Sequence, residues 1–142
     1  MNGQLGTGDT NDRLSPVAVG GLPAMRAIAA GACHSAAVAA DGTAWAWGGN
    51  GSGQLGTGDT DSRLTPVRSA QSLTGLVEVT AGYGHTLLLA GDGAIWGFGG
   101  NGHGALGDGT STGTSLPVRC NLAIQLPGTC NPATILLIDG GQ

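Results

Sequence analysis

One heptapeptide occurs twice in this chain: residues 4–10 and residues 54–60 both read QLGTGDT. The match runs on, because Arg13-Leu14 and Pro16-Val17 return as Arg63-Leu64 and Pro66-Val67, so that residues 4–17 and 54–67 agree at eleven of fourteen positions. A weaker third copy follows at Asn101, Gly102, Gly104, Leu106, Gly107 and Gly109, then Pro117-Val118. The rest of the unit repeats as well. Ala30-Gly31-Ala32-Cys33-His34-Ser35 answers to Ala81-Gly82-Tyr83-Gly84-His85-Thr86, and residues 41–50 answer to residues 92–101. A period of about fifty residues defines one supersecondary unit that buries its apolar faces by stacking on copies of itself, which confines the fold to repeat architectures.

Within one period the apolar runs are short. Residues 25–30, 34–39 and 43–47 are bounded by Ala30-Gly31, Asp41-Gly42 and Gly48-Gly49-Asn50. Runs of that length between such breakers read as strands, and Asp-Gly asks for a tight hairpin with φ > 0. A glycine-rich loop then leads to a fourth strand at Pro66-Val67, where a residue without an N–H suits a sheet edge. Four antiparallel strands per period make one propeller blade. The expected fold class is therefore all-β, built of β-propeller blades.

The pattern AG-x-x-H-[ST], then DG-x-x-W-x-[WF]-G-G-N, then [QA]-L-G and P-V, resembles the regulator of chromosome condensation repeat over residues 2–118. The resemblance implies a ring of about seven blades. It also implies a protein-binding scaffold, since members mostly act in that way. A guanine nucleotide exchange role and chromatin binding belong to one branch and are not carried over to this acidic chain of few blades.

On this reading residues 1–24 are a partial repeat with loop and outer strand, 25–75 a first full blade and 76–118 a second, with 119–142 a non-repeat tail. Two blades leave apolar faces bare, so the ring is expected to close by homo-oligomerisation, as a dimer or trimer that shares the lone Pro16-Val17 strand between neighbours. The apolar run 134–138 reads as an inner strand of a further blade or a strand swapped between copies. Cys120 and Cys130, ten residues apart outside the repeat, either close a disulfide loop or remain thiols.

Composition narrows the partners. Charged residues are 10 % of the 142 and the net charge is −4, which argues against nucleic acid. No apolar run reaches the ~20 residues of a membrane span, so no membrane partner is expected. Residues 1–4 have neither the basic flank nor the apolar core of a secretory leader, and the compartment stays unassigned.

Chemistry-bearing residues are few. His34 and His85 share one repeat position, where a structural imidazole bonding the adjacent turn is expected. His103 stands apart in the Gly102–Gly104 loop, Cys33 precedes His34, and Asp59 lies with Asp9, Asp12 and Asp61 in the Gly-Thr-Gly-Asp-Thr loops. His103, Cys33 and Asp59 are thus the candidates for catalysis, as a hydrolase site at the channel mouth or a subunit seam. Adjacent strand residues point to opposite faces, which keeps Cys33 and His34 apart. The loop aspartates fit no calcium loop and are expected to cap turns or to pair with Arg13 and Arg63. No metal and no cofactor is expected, because there is no CxxC pair and no glycine run opens a helix. A binding scaffold whose partners are copies of itself and a further protein ranks first, a hydrolase second, and a structural repeat fragment without a ligand third.

Overall fold

A computed structural model describes residues 2–121, and in it each complete period becomes one sheet. Strands β1 (Met25–Ala30), β2 (His34–Ala39), β3 (Ala44–Gly48) and β4 (Arg63–Ser69) form the first sheet, antiparallel and in that order. Strands β5 (Leu76–Ala81), β6 (His85–Ala90), β7 (Ile95–Gly99) and β8 (Thr114–Arg119) repeat the arrangement. The run 134–138 and Cys130 lie outside the described residues.

Local chemistry explains the shared shape. Asp41 closes the β2–β3 turn by accepting the Thr43 N–H at 3.0 Å and the Thr43 hydroxyl at 2.6 Å, while Gly42 takes φ +82°. Asp92 accepts the Ala94 N–H at 2.9 Å in the second sheet. Both inner strands carry an irregularity at the same place, between Met25 and Ala27 and between Leu76 and Glu78. Both third strands break register at their last glycine. Gly48 and Gly99 take φ +101° and +108°, so that the next N–H turns back onto the Cys33 or Gly84 carbonyl at 2.7 Å. A Cβ on Gly99 would run into the Gly84 carbonyl and lie 2.7 Å from His85 Cα, which explains why glycine stands there.

The sheets pack face to face, with β5 against β1 and β2. We call the face of a blade directed to the next one trailing and the other leading. The first sheet's trailing face is small: Ala27, Ala36, Val38, Ala44 and Ala46, with Leu55 from the following loop. The second sheet's leading face is large, with Leu76, Val79, Leu88 and Phe98. Small against large lets the layers interdigitate, and each buried Leu or Phe contributes about 1.5–3 kcal/mol.

Residues 11–24 form no strand, although 63–69, the counterparts of 13–19, do. β4 pairs with β3, whereas residues 13–19 have no third strand beside them among the described residues. Residues 2–13 keep the loop shape of 52–63, and there the likeness stops.

Candidate functional site

Each glycine-rich loop is organised by one asparagine. Asn50 is fully buried; its Oδ1 accepts the Leu55 N–H at 2.9 Å. Its Nδ2 faces the Asp59 and Asp61 carbonyls at 3.1 and 3.0 Å and Asp59 Oδ1 at 3.1 Å. Asn101 repeats the arrangement with Leu106, Asp108, Thr110 and Thr112. In the third copy the side chains trade places: Asp108-Gly109-Thr110 stands where the second has Thr57-Gly58-Asp59, and the amide is satisfied either way.

Asp59 is consumed by this loop. Its Oδ2 accepts Arg63 at 2.7 Å and its Oδ1 accepts the Thr57 hydroxyl and the Asp61 N–H. The Arg63 hydrogen bond, foremost among these, holds its carboxyl below the usual range. Asp9 and Arg13 form the same pair at 2.7 Å, as their positions predicted. Cys33 sits half-buried in the β1–β2 turn, where its carbonyl accepts the Gly49 N–H. His103 is exposed and lines an open cavity of about 410 Å³ with Ser52, Tyr83 and His85; neither Cys33 nor Asp59 is in that wall. Among the described residues no three His, Cys, Asp or Glu side chains converge on a point where a metal ion would sit.

His34 departs from the hairpin-locking role expected of it. Its ring projects from the trailing face, and its Nε2 lies 2.9 Å from Thr86 Oγ1 in the next blade. Thr86 gives its own proton to the Gln54 carbonyl at 2.8 Å, so His34 must be the Nε2–H tautomer that donates to it. Nδ1 is then buried without a partner. Burial first, and the nearby His85 second, push the His34 imidazolium down to about 4. The leading face of the first blade repeats the acceptor half. Ser35 donates to the Gln4 carbonyl at 2.8 Å, and Trp47 Nε1 donates to the same oxygen at 2.9 Å. Burial lowers His85 too, and its ring meets no hydrogen-bond partner among the described residues.

No cluster of chemistry-bearing residues marks this seam in the sequence, because its acceptors are backbone carbonyls at Gln4 and Gln54. The available signal was the recurrence of His followed by Ser or Thr in both copies.

Two like sheets stacked through a His–hydroxyl–carbonyl relay, whose hydroxyl–carbonyl half recurs at Ser35 and Gln4, define a β-propeller repeat protein. The family model described as "Regulator of chromosome condensation (RCC1) repeat" matches residues 1–38 and 41–89, and a second model of the same description matches 25–54 and 76–105. The chain belongs to this family. It is 41 % identical over 113 residues to the ultraviolet-B receptor UVR8 of Arabidopsis thaliana, covering 77 % of this chain and 26 % of the receptor. It is 33 % identical over 124 residues to the human E3 ubiquitin-protein ligase HERC2, covering 83 % of this chain and 2 % of the ligase. Yeast RCC1 (Prp20), solved bound to Kap60 and studied for binding to Gsp1p and histones, superposes with a TM-score of 0.72 at 23 % identity. That superposition covers 87 % of this chain and 32 % of Prp20. The chain thus spans about a quarter of the receptor and a third of Prp20.

Proposed function

We propose that the chain is a binding scaffold whose blades present an edge and loop surface to a protein partner, and whose copies associate toward a closed ring. One observation carries this reading. Leu5, Leu14, Val17 and Ile28 stand exposed along a single edge, around an open groove of about 480 Å³ that also contains Ser35 and Trp47. Contiguous exposed apolar surface of this kind marks a protein interaction site. The chemistry-bearing groups point the same way, because Asp59, Asn50, Asn101 and His34 are spent on holding loops and blades. Prp20 engages protein partners on the same architecture, which supports the analogy without naming the partner here.

The experiment compares proteins retained by the immobilised chain with those retained by a Leu14→Asp/Val17→Asp variant, alongside light scattering of both across concentration. The scaffold reading expects defined partners on the native chain that the variant loses. Identical retention and identical mass for both would remove the edge as a binding surface.

A further inference from the structure

The seam between the two sheets is a template for a contact the molecule offers twice more. In the seam already formed, Ala32 N–H reaches the Gly82 carbonyl at 3.3 Å and His34 Nε2 reaches Thr86 Oγ1 at 2.9 Å. The same two donors recur one repeat later as Tyr83 N–H and the His85 ring, both without a partner among the described residues and both in the cavity that His103 lines. The same two acceptors recur one repeat earlier. The Gly31 carbonyl accepts no hydrogen bond among the described residues, and Ser35 Oγ, spending its proton on Gln4, keeps lone pairs for a donor.

The apolar columns match as well. Val79 is 6 % exposed under the first sheet, while Ile28, its counterpart, is 75 % exposed. In the existing seam Ala36 and Val38 meet a face bearing Leu88 and Ala90. The trailing face of the second sheet carries Leu87 and Leu89, only half-buried, and the leading face of the first sheet carries Ala37 and Ala39, both buried. The bulk changes sides while the summed volume differs by a single methylene, the kind of swap a packed interface accepts.

Building on the association of copies proposed above, we propose that the occupant of these faces is a second copy of this chain. The trailing face of one copy docks on the leading face of the next, with His85 and Tyr83 N–H of the first on Ser35 and the Gly31 carbonyl of the second. One segment must yield for this. Residues 2–19 of the second copy hold the position that residues 101–119 hold on the first copy's second sheet. β8 is paired with β7, whereas residues 11–23 join no sheet, so the N-terminal segment is the one displaced. Ser35 and Trp47 then transfer their two bonds from Gln4 to the Ala105 carbonyl of the other copy, and the Leu64 carbonyl exchanges the Gly8 N–H for that of Gly109, as Ser115 takes Gly58 in the existing seam. Residues 2–19 are a removable plug on a head-to-tail seam.

The test uses the 142-residue chain and its variants, checked for fold by circular dichroism, with mass read by light scattering. Leu87→Asp/Leu89→Asp disables the trailing face, and Ile28→Asp the leading one. Each variant alone should run as one chain, and their mixture should form a complex of two chains and no more. Val19→Asp, which loosens the plug where Val19 sits beside Gly6 and Trp47, should lower the half-association concentration about tenfold. If native and Val19→Asp chains both stay single at every concentration, the seam and the assembly reading fall together. If oligomers persist in both face variants, assembly stands and this seam is wrong. If Val19→Asp leaves the midpoint unmoved, the plug is refuted.

Discussion

His34 shows how much one buried side chain asks of its neighbours. It is 1 % exposed, donates through Nε2, and leaves Nδ1 dry. Thr86→Val keeps the shape but strips a donor and an acceptor at once, leaving His34 Nε2–H and the Gln54 carbonyl unanswered. Chemical denaturation should show a loss of about 1–3 kcal/mol, and Thr86→Ser should recover most of it. The same histidine sets a pH dependence. Its value falls from 6.5 in the unfolded chain to about 4 in the fold, so below pH 6.5 the unfolded state binds the proton more readily. Stability is whole above pH 6.5, declines as pH falls toward 4, and levels off below that. Melting temperatures measured from pH 7.5 to 3.5 should lose this component in His34→Gln, and an unchanged acid slope would contradict the assignment. His85, lowered by burial, adds to the slope in the same direction and should remain in that variant.

At the level of elements, the loops depend on amides and the strand ends on glycines. Asn50→Asp would turn a donor toward the Asp59 and Asp61 carbonyls into a charged acceptor, buried and facing Asp59 Oδ1. We expect a cost of about 3 kcal/mol at neutral pH, partly relieved in acid as the new carboxyl takes up a proton. Gly99→Ala should cost at least about 2 kcal/mol, because its Cβ meets backbone rather than a side chain that can turn aside. The strands and hairpins were legible in the sequence because each is bounded by a residue with a local job: Asp41-Gly42 at a turn, Gly48 at a register break. Residues 13–19 misled for the complementary reason. They carry the letters of β4, yet a strand exists only by pairing, and no local signal says whether a neighbour is present. His34 misled similarly, since its partner lies 52 residues away in the next blade.

For the molecule as a whole, the two sheets make one cooperative body with one frayed edge. Opening β2 or β6 exposes the shared core of Val38, Leu55, Leu88 and Phe98, whereas residues 11–23 can leave without disturbing a ladder. Hydrogen exchange on dilute chain should therefore rank the amides of β2 and β6 slowest, with those of 11–24 exchanging almost unprotected. Raising the concentration discriminates further. If copies join through the seam described above, protection should appear at the Tyr83 amide while residues 11–23 remain fast, because the plug has been expelled. If residues 13–19 instead become protected as β4 is, the incoming sheet has paired with them as a third strand. The N-terminal segment would then be part of the assembled blade rather than its competitor.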